Sequence, residues 1–282
     1  MTRRRASRRP AGGVELVHWN PRYHHLPRPF GRIRFGRPLD NFGDLLGPVI
    51  VRRLLSREGL DNCRGPNGTR RRILSVGSIM HFARSGDVVW GTGVNGKHLM
   101  LPNRPQDLDV RALRGPKTAV VLRGQGFETP DVHGDPAILM PALMPELAMV
   151  KPVSGRIAFV PNFHDLPRWR AAGVQPVSPL GSPETVIPQI LIAERVITSS
   201  LHGLVVADAF GRPAVLVIPE AEPMFKYEDY RLGIGRPLAE ATPDLATARD
   251  RIKTAEAVDI PRERIEALLE SFPRDLWLGG DA

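Results

Sequence analysis

The run from Arg195 to Ile218, RVITSSLHGLVVADAFGRPAVLVI, restricts the fold of this chain more than any other stretch. It reads as strand, turn, helix, turn, strand. Val196 to Thr198 is a short β-branched run suited to a buried strand. Thr198, Ser199 and Ser200 offer side-chain oxygens that can cap the next helix. That helix carries Leu204, Val205, Val206, Ala207 and Ala209 and stops at Gly211, with Pro213 just past it. Ala214 to Ile218 is a second apolar strand. Two strands joined through a helix run parallel, so the chain is expected to be α/β. The Ser199–Gly203 turn then lies at a strand's carboxyl end, where open α/β sheets bind ligands and a helix N-terminus favours anions. His202 stands out at that turn. It is either a histidine satisfied inside the fold or one that hydrogen-bonds an anion or gives up a proton.

The rest of the chain repeats the βα theme. Val14 to Trp19 reads as the first strand, and the Pro-, Arg- and His-rich segment Asn20 to Pro38 as an irregular loop. Asp40 or Asn41 can cap a helix running to Leu55, with Pro48 expected in or near its first turn, where proline is best tolerated. Arg72–Gly77 and Asp87–Trp90 are strands. Gly91 to Gly96 matches G-x-G-x-x-G. However, Pro102 and Pro105 prevent a long helix after it and no clear acid follows about 20 positions on, so a dinucleotide site is not expected. Arg111 to Leu113 is strand-like and Pro116 opens a helix to Gly124 or Gly126, which puts Arg111 and Arg114 at a strand-to-helix junction where an anion would lie. Residues 141–155 lack periodicity and mark a boundary. An N-terminal Rossmann-like domain is expected over 13–150 and a C-terminal one over 151–282, ending in helices at Pro243–Ala255 and Pro261–Ser271. Arg156–Val160 opens the second half as a strand, with His164 and Asp165 at its carboxyl end.

Charge narrows the function. Lys and Arg number 39 against 30 acidic residues, a formal +9. Arg3, Arg4, Arg5, Arg8 and Arg9 make residues 1–12 a basic tail, expected to be disordered, and Arg70, Arg71 and Arg72 form a second run. No helix-turn-helix, zinc-finger or aromatic-interleaved pattern accompanies these runs, so no nucleic-acid partner is expected. An enzyme of phosphorylated substrates, or one in peripheral contact with an anionic membrane, suits the charge. A single cysteine, Cys63, excludes an internal disulfide framework. No apolar run approaches the roughly 20 residues of a membrane span, and no apolar segment follows the N-terminal arginines as in a secretory signal. The expected setting is cytoplasmic, at or near the inner face of the membrane. No His, Cys or Asp cluster has metal-ligand spacing, so neither a metal nor a cofactor is expected.

Several short motifs occur in a fixed order: Asn41-Phe-Gly-Asp44, Trp90-Gly-Thr-Gly93, Val110-Arg followed by Arg114-Gly-Pro116, Gly134-Asp-Pro-Ala137, Ser199-Ser-Leu-His-Gly203 and Phe225-Lys-Tyr-Glu-Asp-Tyr230. Together they resemble the polysaccharide pyruvyl transferase family over residues 40 to 231. The resemblance implies two Rossmann-like domains facing across a cleft in a GT-B-like arrangement. It also implies transfer of pyruvate from phosphoenolpyruvate to two hydroxyls of a surface-polysaccharide sugar, free or lipid-linked, as a cyclic ketal. On that reading His202 is a proton donor and Asp44 or Asp135 takes the sugar proton. Arg111, Arg114, His164, Lys226, Ser199, Ser200 and the glycines Gly91, Gly93 and Gly203 bind substrate. Some family members carry arginine just before the Leu-His pair, where this chain has Ser200, so Arg111, Arg195 or Lys226 is expected to replace it. The alternatives are a GT-B-type glycosyltransferase using a nucleotide sugar, and a non-catalytic binder acting through its arginines.

Overall fold

The structure, a computed structural model, describes residues 7–11, 13–25, 32–61, 71–237 and 240–278. In chain order the elements begin with β1 (Ser7–Ala11), β2 (Val14–His18), β3 (Arg22–His25), β4 (Arg32–Pro38), α1 (Phe42–Arg57), β5 (Arg72–Leu74), β6 (Asp87–Trp90), β7 (Leu108–Ala112) and α2 (Pro116–Arg123). Two single-turn helices follow, α3 (Met140–Leu143) and α4 (Pro145–Ala148), then β8 (Val153–Val160), α5 (Leu166–Ala171), α6 (Pro183–Leu191), β9 (Ala193–Thr198), α7 (Leu201–Ala209) and β10 (Ala214–Leu216). The chain closes with α8 (Phe225–Gly233), α9 (Leu245–Arg251) and α10 (Arg262–Glu270).

The fold is α/β. One sheet has the order β1-β2-β5-β6-β7, parallel except for β1, which pairs antiparallel with β2 at the edge. A second, wholly parallel sheet has the order β10-β9-β8. Alternation along each strand sends side chains to opposite faces. Leu16, Ile73, Val88 and Trp90 of the first sheet share one apolar cluster with Ala158, Val160, Val196 and Leu216 of the second. That cluster is filled by α1, α3, α6, α7 and the 3-10 turn Pro136–Leu139. The intervening residues face outward into two separate clusters: Val17, Leu74 and Val89 with Ala119 and Leu122 of α2, and Ile197 and Val215 with Trp169, Ala248 and Ile252. The two sheets therefore share a common helical layer between them. This explains why α7 is apolar nearly all round, with Leu201, Leu204, Val205, Val206 and Ala207 all buried.

Local chemistry sets the helix ends. The Asn41 side chain accepts from the Gly43 N–H to cap α1, Ser200 does the same for α7 toward Gly203, and Asp135 caps the Pro136 turn through Ala137. Three readings of the sequence need correction. Pro48 sits in the second turn of α1 rather than the first, and removes the N–H that would bond the Asp44 carbonyl. The segment Asn20–Pro38 is not wholly irregular, since β3 and β4 form an antiparallel pair. Residues Ser7–Ala11 of the basic tail form β1, because the free edge of β2 offers backbone partners. Residues 1–6 and 12, Cys63 and Arg70 lie outside the described residues. Among the described residues no helix is long and apolar enough to cross a membrane.

The start of α2 crosses α8 at two glycines. A Cβ on Gly115 would lie 1.8 Å from the Asp229 carbonyl oxygen, and one on Gly233 would lie 1.9 Å from that of Arg114. Neither contact is with a side chain that can turn away, so backbone must move to admit a methyl group. Gly233→Ala is expected to lower stability by about 1–3 kcal/mol, read as a lower denaturation midpoint at unchanged m. A variant as stable as the parent would show that this crossing opens freely.

Candidate functional site

Three helix N-termini bring charged or polar side chains together at the carboxyl ends of the two sheets. Asp44 lies in the first turn of α1, His202 in the first turn of α7 and Lys226 in the first turn of α8. Gly43 lets α1 approach the imidazole, since a Cβ there would fall 2.0 Å from His202 Nδ1, and Lys226 acts electrostatically on both Asp44 and His202. The other ring nitrogen, Nε2, is buried without a hydrogen-bond partner among the described residues, and Gly77 in the loop after β5 lies beside it. The Phe42 ring meets the imidazole edge-on at 6.4 Å.

The local electrostatics move both groups away from their ordinary values. Burial, with the positive charges of Lys226 and Arg114, lowers the His202 pKa to about 3, so the imidazole is neutral at pH 7. Burial raises Asp44 to about 7 against the attraction of Lys226, and the nearby Glu222 carboxylate pushes the same way as burial. Lys226 is itself lowered by burial, opposed by Glu222, whose carboxylate it meets at 2.9 Å. Asp44 is thus the group poised to hold or lose a proton near neutrality, and Lys226 is the cation among these three.

Arg114 is fully buried, and the anion it meets belongs to the protein. Its Nε donates to Asp229 Oδ2 at 3.0 Å, one terminal nitrogen to Ser78 Oγ at 2.6 Å and the other to the Val94 carbonyl at 2.6 Å. Asp229 Oδ1 also accepts from the Thr118 N–H at 2.9 Å and Oδ2 from the Thr118 hydroxyl at 2.7 Å. The strand-to-helix junction before α2 therefore holds an anion, as the sequence suggests, but that anion is Asp229 from α8.

The other residues expected to bind substrate divide by location. Arg111 is 38% exposed and pairs with Asp109, two residues away on the same strand face, and with Asp275, which removes it from Arg114 and the site. Arg195 donates to the Ile252 and Ala255 carbonyls, so Lys226 is the one of the three suggested replacement cations that lies beside His202. Ser199 Oγ donates to Asp165 at 2.5 Å and accepts from the Asn162 N–H, while Ser200 caps α7. Gly91 and Gly93 make room for the protein itself: a Cβ on Gly91 would strike Pro136 at 2.3 Å and one on Gly93 the Arg114 guanidinium at 2.4 Å. Gly203 lets α7 pack on Thr198 and Val160. His164 is exposed beside this loop, its N–H held by Asn162, while Asp165 points inward to Ser199 and Glu220. Asp135 is buried as a cap. Burial raises its pKa to about 6, and its Oδ2 has no partner among the described residues. Asp229, Glu222, Lys97 and Gly43 go unremarked in the sequence reading, although Asp229 and Gly43 sit inside motifs it quotes. Among the described residues no group of three or more His, Cys, Asp or Glu side chains is arranged to hold a metal ion.

Removing one member of a buried ion pair leaves the other uncompensated, which costs about 3–5 kcal/mol. Asp229→Asn is therefore expected to lower stability by that order in denaturant melts without any ligand present. A loss below about 1 kcal/mol, the range of exposed pairs, would show that Arg114 does not depend on Asp229.

Comparison with known proteins shows the family. The family model described as polysaccharide pyruvyl transferase matches residues 41–220, more than half of the chain, and that span holds Asp44, Arg114 and His202. The succinoglycan biosynthesis protein ExoV of Rhizobium meliloti (strain 1021) is 28% identical over 174 residues, covering 58% of this chain and 54% of that protein. The chain thus spans about half the length of this curated relative. No solved structure matches it significantly. On the extent of the family match and the ordered motifs within it, the chain belongs to the polysaccharide pyruvyl transferase family.

Proposed function

We propose that this protein transfers pyruvate from phosphoenolpyruvate to two hydroxyls of a polysaccharide sugar, or of its lipid-linked precursor, as a cyclic ketal. One observation carries the reading: in a chain of this family, Asp44, His202 and Lys226 meet at the first turns of three helices. A donor with a carboxylate and a phosphate suits helix N-termini and a lysine. The two sheets, read as Rossmann-like halves over 13–150 and 151–282, support a GT-B-like arrangement. The reading places the enzyme in the cytoplasm, where the donor is made, with no cofactor beyond that donor.

The pKa values set the roles and exchange those suggested by sequence. Near pH 7 Asp44 is about half protonated and His202 neutral, and a bound anionic donor raises both pKa values, which favours the protonated carboxyl. Asp44 gives its proton to the methylene carbon of phosphoenolpyruvate while the first sugar hydroxyl bonds to the adjacent carbon and passes its proton to His202. The bond from that carbon to the phosphate oxygen then breaks, and the leaving phosphate takes the proton from His202. The second hydroxyl closes the ketal and returns a proton to Asp44. One phosphoenolpyruvate and two hydroxyls yield one ketal and one phosphate, with both side chains restored. Lys226 balances donor charge throughout. In this scheme the two serines fix the α7 turn, Asp135 holds the neighbouring turn, and His164 is assigned to the substrate's side of the loop after β8.

Each acid or base step contributes about 10²–10⁴-fold in rate, so Asp44→Asn and His202→Ala are each expected to lose activity on that scale. Because Asp44 must hold its proton, kcat/KM for phosphoenolpyruvate is expected to fall above about pH 7, and that limb disappears in Asp44→Asn. Ketal formation is followed by mass spectrometry alongside phosphate release, with an acceptor panel. Activity that climbs through pH 8 would reverse the assignment of Asp44, and full turnover in His202→Ala would remove the imidazole from the reaction.

A further inference from the structure

Glu222, in the loop between β10 and α8, spans two lysines. Its Oε1 accepts from Lys97 Nζ at 2.6 Å and its Oε2 from Lys226 Nζ at 2.9 Å. The bridge passes from the open to the closed side of the site: the Lys97 side chain is 40% exposed, that of Glu222 12% and that of Lys226 10%. Lys97 comes from the loop after β6, in the first sheet's half of the chain, and Lys226 from α8 in the other. Packing fixes the register of the two loops, since a Cβ on Gly96 would lie 2.6 Å from Phe225 and 3.3 Å from Pro223. The protein thus holds a carboxylate of its own between two ammonium groups, close to Asp44.

We infer that Glu222 is a specificity-determining residue, an internal carboxylate that occupies Lys97 and Lys226 so that only a ligand with more than one anionic group takes them over. This deepens the donor-site reading above and rests on it. A tethered carboxylate acts at an effective concentration on the order of millimolar or higher. A simple monocarboxylate that replaced Glu222 would exchange one carboxylate–ammonium pair for another and also lose its own translational freedom, so it gains nothing. A phosphorylated carboxylate brings two anionic groups, one for each lysine, and the phosphate carries the larger charge. Glu222 therefore discriminates against pyruvate and similar acids, although these share the donor's carboxylate.

The test is isothermal titration of the full chain at low salt with pyruvate, inorganic phosphate and phosphoenolpyruvate, comparing the native protein with Glu222→Gln and Glu222→Asp. In Glu222→Gln, pyruvate and phosphate are expected to bind roughly tenfold tighter or more, the scale of a freed charge-assisted hydrogen bond. Phosphoenolpyruvate must displace the same carboxylate, so it gains by a comparable factor, and Glu222 acts as a threshold that the weaker monoanions do not pass. Glu222→Asp, too short to span both lysines, falls between, and it serves as the test if the glutamine variant does not fold. Unchanged or weaker pyruvate and phosphate binding in both variants would overturn the inference and leave Glu222 as a support for the lysines. Should both ligands tighten while no variant turns over phosphoenolpyruvate with any acceptor, the specificity role stands and the donor assignment falls. Should the native protein form ketal while neither variant tightens pyruvate, the donor assignment stands and the specificity role falls.

Discussion

Two ions removed from water together, Arg114 and Asp229, hold the junction at which the site is assembled. Arg114 lies just past β7 and before α2, and Asp229 lies on α8, 115 residues later in the chain. Their pairing places the α2 N-terminus against α8 at a glycine-to-glycine crossing and fixes the turn of α8 that carries Lys226. Burial makes the arrangement demanding. The attraction between the two charges offsets their desolvation only because Ser78, Val94 and Thr118 supply the remaining hydrogen bonds. The geometry is therefore specific, and few other placements of α8 would satisfy the same groups.

The same withdrawal from water sets the chemistry. A histidine among cations and apolar walls loses its proton, and a carboxylate there keeps one. Asp44 and His202 differ in where their burial leaves them: His202 shares its surroundings with Lys226 and Arg114, while Asp44 has Lys226 opposed by Glu222. Proton-transfer roles at pH 7 follow from these environments more than from residue type. Glu222 and the two lysines add a layer of charge beside Asp44, so the site is neither simply basic nor simply acidic.

Much of the fold was legible because parallel α/β structure leaves strong local marks. Asp87–Trp90 matched its strand end to end, and the β9-α7-β10 unit appeared where its apolar runs and caps placed it, because those signals need no distant partner. The hairpin of β3 and β4 was not read, because the prolines and glycines in and around it mark loop more strongly than the short Arg32-Ile-Arg-Phe35 alternation marks strand. In the site, Asp44 and His202 were legible as first-turn residues. Gly91 and Gly93 were legible as places of close approach, but not what approaches, Pro136 at Gly91 and Arg114 at Gly93, and the contact of Gly43 with the imidazole carried no mark at all.

By itself the sequence determined that strands alternate with helices, that polar groups gather at strand carboxyl ends and that the chain belongs among the pyruvyl transferases. These depend on local periodicity, capping and motif order, which act over a few residues. Only the tertiary structure decided which arginine meets which acid, which lysine faces the imidazole and which side chain carries the proton. Those outcomes depend on burial and on charges brought close from 100 or more residues away, as Asp229 is to Arg114 and Glu222 to Lys97. No local pattern encodes them, because desolvation belongs to the packed molecule.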